Sequence, residues 1–411
     1  MKNLQRVLFF FLLFGTMLIF GFIENIKGVS YPLIKAEFGA TWEQQGLVVS
    51  MLAVAYVSFS IIAGIFLGRF GIKPSFIFGL GALCLGVLSV FFMPGFFWVA
   101  AALFVVFAGF GFIEVGLNAF ASRVFITKTA MFMSILHSFY GIGAVLGPKA
   151  AGIITNNAHL GWRYAYLFSL PLVLVLFIPA ILTCFPESRA NAGNANDDGN
   201  ADGNADGAKI VKRKSFFDAL RSPMVWLMSV ILGLAVVVEM SSSNWGALYF
   251  QDVYGFNPST DGASFLSVFF LVFTLSRLIC GLFIERIGYI RSLLGASFII
   301  FAVYVTGFFL GEKGIYVLPS LGFFVAILWP TIMAVAIRRF GEDAPVFSSA
   351  MIAISGLINA AVQFVVGLTN RVFGPAWGYR SSLIYTVLLI GTLLLLYRIY
   401  KQDKRQTAAA A

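Results

Sequence analysis

Ionisable side chains standing inside long apolar runs of this 411-residue chain are its first chemical signal. Glu114 lies in GFGFIEVGLNAF with no basic residue beside it. A charged group at the centre of a bilayer costs about 2.5–3.5 kcal/mol on insertion scales, so such residues face a cavity or a partner. A carboxyl that gains a proton on one side and releases it on the other couples transport to a proton gradient; a permanently protonated acid would only bond a neighbouring helix. Glu24 and Lys27 are three residues apart and share a helix face, a spacing that lets them pair. Glu24 with its neighbour Asn25 is read as a proton or substrate contact, Lys27 as a substrate contact or a structural counter-ion. Glu239 heads SSSNW, where carboxylate and amide groups suit sugar hydroxyls and an indole face suits a sugar ring, so Glu239, Asn244 and Trp245 are candidate substrate residues. Trp245 equally fits an interfacial anchor.

Further polar residues follow helical spacing. Asn118 lies four residues after Glu114, and Asn359 and Gln363 form a similar pair; both pairs are assigned to a substrate cavity, against a plain helix-to-helix bond. Trp329 is added as a substrate contact. His137 is a candidate proton relay, because an imidazole titrates near neutrality, although a lone histidine is as readily structural. Arg277 is read as an anchor that bonds backbone carbonyls at the end of its span.

The elements that must position these residues are set by composition. The chain is 60% hydrophobic and 11% charged, with mean hydropathy +0.91, against roughly 45–50% and about 25% in soluble domains. A membrane-spanning helix needs about 20 apolar residues. Apolar runs place spans at residues 7–29, 45–67, 75–93, 97–120, 132–154 and 164–185, then 224–248, 262–284, 290–310, 314–337, 346–369 and 379–399. The expected fold is an all-α integral membrane protein of about twelve helices in two pseudo-symmetric halves, 1–188 and 222–411. Residues 189–221 are low in complexity and then basic (Lys209, Lys212, Arg213, Lys214), a composition that cannot build a core and reads as a disordered linker. The run at 7–22 follows Lys2 and Arg6 without a small-residue cleavage site and is taken as the first span rather than a signal peptide.

The net charge of +10 does not imply a nucleic-acid partner, because lysines and arginines fill alternate short loops, including Arg69, Lys73, Arg123, Lys128, Arg286, Arg291, Arg338 and Arg339. That bias places both termini and the linker in the cytoplasm. Cys84, Cys184 and Cys280 lack disulfide or metal spacing. A nucleotide loop, a metal-ligand cluster and a nucleophile with a base are all missing from the pattern, so an enzyme is the least favoured class. No cofactor beyond a proton gradient is expected, and the partners are a small solute and the bilayer, with the chain a monomer.

An internal repeat supports the two halves. GIFLGRFGIKPS after the second span and GLFIERIGYIRS after the eighth share one pattern, and Glu24 and Glu239 precede them by nearly the same distance. Gly64, Arg69, Gly71, Lys73, Glu285 and Arg286 are therefore assigned to gating loops. The loops resemble the Gly-x-x-x-Asp-Arg-x-Gly-Arg/Lys signature of the major facilitator superfamily, with Gly68 in place of the first acid, and PES at 186–188 is another common feature of it. Within that superfamily, GFGFIEVGLNAF, Glu239 before Trp245, WPTIMAVAIRRFGEDAPVFSSA and Arg277 resemble the fucose permease family of sugar–proton symporters. The resemblance implies proton-coupled symport of a monosaccharide or similar polyhydroxylated solute by alternating access, in a bacterial inner membrane. That family's first-helix aspartate falls at Gly28, with Glu24 one turn earlier. GIGAVLGPKAAG in the fifth span is instead similar to a drug–proton antiporter signature, with Ala151 for one glycine, and keeps an exporter of amphipathic compounds as the alternative. A non-transporting membrane sensor is the third reading.

Overall fold

The computed structural model describes residues 2–125, 129–157, 159–185 and 216–410. Most of the expected linker, with its basic cluster, lies outside the described residues, as do Lys128 and the PES triplet. The last residues assigned to the linker, Phe216–Leu220, are a short helix.

With no water in the hydrocarbon layer, each backbone N–H and C=O must be paired inside its own segment, so apolar spans fold as helices. The first half comprises α1 (Lys2–Phe38), α2 (Trp42–Phe70), α3 (Ile72–Phe92), α4 (Phe96–Val124), α5 (Thr129–Thr155) and α6 (Trp162–Leu182). The second comprises α7 (Pro223–Tyr254), α8 (Ala263–Ile287), α9 (Tyr289–Phe309), α10 (Gly311–Phe340), α11 (Ala344–Phe373) and α12 (Ser382–Ala410). Among the described residues, eleven helical segments are long and apolar enough to cross a bilayer. A twelfth helix, α5, spans 27 residues and packs against α1 and α8. Large apolar side chains such as Ile65, Leu182 and Phe309 lie on the outside, where only lipid makes their exposure favourable.

The expected span lengths are short at several ends. Helix α1 continues to Phe38, because Glu37 and Lys35 find partners on other helices, Trp162 and Arg163 for the first and Asp252 for the second, rather than marking a loop. The next helix begins on a capping box: the Thr41 N–H donates to Gln44 Oε1 at 2.8 Å and Gln44 N–H donates to Thr41 Oγ1 at 3.3 Å, satisfying two N-terminal groups.

The repeat is visible in the backbone. Gly71 (φ 86°) ends α2 with its N–H on Leu67 O at 2.9 Å, and Gly288 (φ 94°) ends α8 with its N–H on Ile284 O at 2.9 Å. Both φ values favour glycine, which is why each signature closes on one.

Odd-numbered helices start, and even-numbered helices end, at the end of the bundle that carries both termini; the other is called distal here. Distally the halves are joined. Lys35 on α1 pairs with Asp252 on α7 at 3.0 Å, and Arg371 on α11 with Glu43 on α2 at 3.1 Å. A Cβ added at Gly46 would meet Gly367 Cα at 2.9 Å, so α2 and α11 touch backbone to backbone. Thr155 Oγ1 donates to Ser259 Oγ at 2.8 Å, and Ser267 Oγ donates to Val145 O at 3.1 Å. The α5–α8 seam extends to Gly141 against Thr274, near mid-bundle. Beyond that point, towards the terminal end, the two helices flank a cavity.

Candidate functional site

Three helices bring the membrane-embedded acids together, and a fourth adds a cation. On α1, Lys27 Nζ lies 3.2 Å from Glu24 Oε1, and the other carboxylate oxygen accepts the Tyr140 hydroxyl of α5 at 2.7 Å. Asn25 Nδ2 donates to Gly21 O at 2.9 Å and reaches the same hydroxyl at 3.5 Å. Lys27 also stands 5.0 Å over the Phe107 ring of α4, an added cation–π contact. The pairing anticipated from the spacing is present, and Tyr140 completes it.

On α4, Glu114 Oε2 accepts the hydroxyl of Tyr56 from α2. Among the described residues its other oxygen has no hydrogen bond. Glu239 on α7 has no hydrogen-bond partner among those residues either; Arg277, Glu24 and Lys27 are its charged neighbours, and Arg277 and Glu24 are those of Glu114. Three carboxylates and two cations from α1, α4, α7 and α8 therefore share one electrostatic neighbourhood.

Arg277 overturns the anchoring role expected of it. Its guanidinium lies 4.4 Å over Phe273, and its Nε is buried with no hydrogen bond. No bond from it to a backbone carbonyl occurs among the described residues. Instead Arg277 lines a cavity of about 390 Å³ with His137, Ser276, Glu285, Trp329 and Thr331, a size suited to a small solute. The three glutamates are outside the cavity wall; Arg277 is the residue that belongs both to the wall and to their neighbourhood. Its charge also acts on His137. Beside Glu239, the second half thus contributes a cation to the polar interior. Its lone position within an apolar run was the available signal.

The far wall is a broken helix. In α10 the helical turns stop at Val325 and resume at Leu328, because Pro330 has no N–H for the carbonyl four residues back. Trp329 and Thr331 reach the cavity at this break, and non-helical backbone at membrane depth is tolerated where it lines a cavity.

Other expected site residues lie elsewhere. Trp245 is 1% exposed, donates its indole N–H to Gln363 Oε1 at 2.7 Å and packs against Trp42 at 6.4 Å. Gln363 Nε2 in turn donates to Asn359 Oδ1 at 3.0 Å. These three form a polar chain in the distal seam between the halves and not a cavity wall, and the plain helix-to-helix reading describes the amide pair. The serines after Glu239 are likewise engaged: Ser241 Oγ donates to Val237 O at 2.7 Å, and Ser242 Oγ is 3.0 Å from the Tyr379 hydroxyl. Asn244 Oδ1 and Asn118 Oδ1 are buried without a hydrogen-bond partner among the described residues. Of the gating-loop residues, Lys73 Nζ donates to Ile181 O at 2.7 Å, Arg69 lies 5.4 Å over Phe70, and a Cβ added at Gly64 would meet no neighbour among the described residues. Glu285 departs from its loop assignment by joining the cavity wall, whereas Arg286 stays exposed at the terminal end.

The antiporter-like glycines have a packing role. Added Cβ atoms at Gly143 and Gly147 would collide with the α1 backbone at Leu18 and Phe22, and one at Gly152 with Ser259 O. Small residues there let α5 approach α1 and α8 closely.

Residues 12–362 match the Major Facilitator Superfamily. The chain belongs to that superfamily. Its members being transporters, this is a multi-pass membrane transporter and not an enzyme. It is 22% identical to the L-fucose-proton symporter of Escherichia coli (strain K12) over 421 aligned positions, covering 93% of this chain and 91% of that protein. Over a shorter stretch, 172 residues and 40% of the chain, it is 31% identical to the "Probable sulfoacetate transporter SauU" of Cupriavidus necator, covering 39% of that protein. In fold it is similar to a bacterial homolog of the human lysosomal transporter Spinster, solved in an inward-facing and unoccupied conformation, with TM-score 0.76 at 14% identity over 98% of this chain and 99% of that one.

Proposed function

We propose that the chain is a proton-coupled symporter for a monosaccharide or a similar polyhydroxylated solute, with both termini in the cytoplasm of a bacterial cell. The observation that supports the reading best is the electrostatic cluster itself: Glu24, Glu114 and Glu239, three carboxylates without a metal-like grouping, gathered beside a cavity that opens towards one end of the bundle. The similarity to a fucose–proton symporter supports it too. On the positive-inside bias the terminal end faces the cytoplasm, so the conformation described is open inward and sealed outward. Glu114, held by Tyr56 through one oxygen, carries the coupling proton. The solute occupies the cavity between α5, α8 and α10, and the halves rock about the cluster to expose it on alternate sides.

Purified protein in proteoliposomes with an inwardly directed proton gradient tests the reading. Concentrative uptake from a panel of labelled five- and six-carbon sugars and their derivatives supports it. Extrusion of hydrophobic cations with no member of the panel accumulated rejects it in favour of the exporter.

A further inference from the structure

The two cations of the cluster are not equivalent. Lys27 is neutralised by contact with Glu24 at 3.2 Å. Arg277 has no carboxylate within ion-pair distance among the described residues; its charge meets Glu114 and Glu239 only at longer range. A guanidinium presents five N–H donors in a planar fork that matches a carboxylate through two parallel bonds. Here that fork has no protein acceptor among the described residues and stands in the wall of the cavity. Leaving a cation beside an apolar ring in the membrane with no carboxylate in contact is costly.

We propose that the solute carries a carboxylate and that Arg277 receives it, which makes the substrate class sugar acids rather than neutral sugars. The inference rests on the uptake reading above and narrows it. Thr331, also on the wall, supplies a hydroxyl for a polyhydroxylated tail, whereas the Ser276 hydroxyl is spent on Phe323 O at 2.5 Å.

Charge balance gives a second, independent consequence. The ionisable groups whose charge meets Arg277 are Glu114 of α4, His137 of α5 and Glu239 of α7, and Glu285 on its own helix and Tyr289 of α9 share the cavity wall with it; Glu24, Lys27 and Tyr140 reach it only through Glu114 and Glu239. When one glutamate takes a proton, the neighbourhood gains a positive charge; a bound monoanion removes it. One proton with one sugar acid therefore moves through the cluster without changing its net charge, whereas a proton with a neutral sugar carries a charge across. Because binding linkage is reciprocal, the proton and the anion each strengthen the binding of the other.

The test uses proteoliposomes and a panel of aldonates and uronates, each matched with its neutral alditol or pyranoside. Expected is accumulation of an acid under a proton gradient, with no current when the acid is added to protein on a solid-supported membrane. In Arg277→Gln the ratio of acid to neutral affinity falls by at least about tenfold, the size of one charge-assisted bond; Arg277→Lys falls between. Thermal stabilisation of purified Arg277→Lys by the same acid checks that folding is intact. Accumulation of neutral members, with acids neither accumulated nor competing, overturns the inference while leaving the uptake reading standing. An unchanged affinity ratio in Arg277→Gln overturns the role of the arginine. Failure of both classes to bind or move rejects the uptake reading along with the inference.

Discussion

At the residue scale, the site divides into groups already satisfied by the protein and groups left open. Glu24 belongs to the first set, both oxygens being used by Lys27 and Tyr140. Glu114 and Arg277 belong to the second. If Glu114 carries the proton, Glu114→Gln abolishes concentrative uptake under a proton gradient, down to the level of empty liposomes, yet preserves exchange of internal for external solute, since the cavity is untouched. Parallel gradient-driven and counterflow assays check this. Trp245 yields an opposite expectation. Trp245→Phe leaves the buried Gln363 Oε1 unpaired, at a cost of about 1–3 kcal/mol, so thermal unfolding in detergent occurs at a lower temperature while the apparent affinity for solute holds. Loss of affinity without loss of stability would restore the sugar-stacking role read from the sequence.

At the element scale, what was legible followed the strength of the local rule. Twelve spans, the two-half repeat and the Glu24–Lys27 pair obey periodicity and spacing, and all are present. The Trp245 assignment rests on side-chain chemistry and the Asn359 and Gln363 assignments on their helical spacing; which face a helix turns to a cavity depends on packing between distant segments, here α7 against α11, and neither signal encodes it. Tyr56 and Tyr140 escaped notice because a tyrosine in an aromatic-rich span looks like packing until the acid opposite is known. The break in α10 is legible in Pro330, although the apolar run around it reads as an ordinary span. The α5 glycines illustrate a motif whose spacing answers to packing. Gly147→Val forces a side chain into the α1 backbone at Phe22, and overpacking costs about 1–3 kcal/mol. A clear drop in melting temperature, unaccompanied by any change in preference between solutes, is the expected outcome.

At the scale of the whole molecule, the distal contacts hold one of two arrangements of the halves. Lys35–Asp252 and Arg371–Glu43 cross the seam, and both pairs are partly exposed, so each is worth about 0–1 kcal/mol. Replacing Asp252→Asn and Glu43→Gln together is expected to shift the population towards a distally open form by up to about tenfold, a total near 1.4 kcal/mol. Spin-label distances between the distal ends of α2 and α11 report the shift; no change would assign closure to the uncharged contacts of the seam, the Gly46–Gly367 approach and the Thr155–Ser259 and Ser267–Val145 hydrogen bonds.

The central claim, that protons and solute move together through the cluster, is tested most directly by counting protons. Proteoliposomes loaded with a pH-sensing dye are mixed with the transported solute in the absence of an imposed gradient. The account predicts that the interior acidifies in fixed proportion to solute entry, and that Glu114→Gln abolishes acidification. Solute entry at full rate with no change in internal pH, in the native protein, would contradict it.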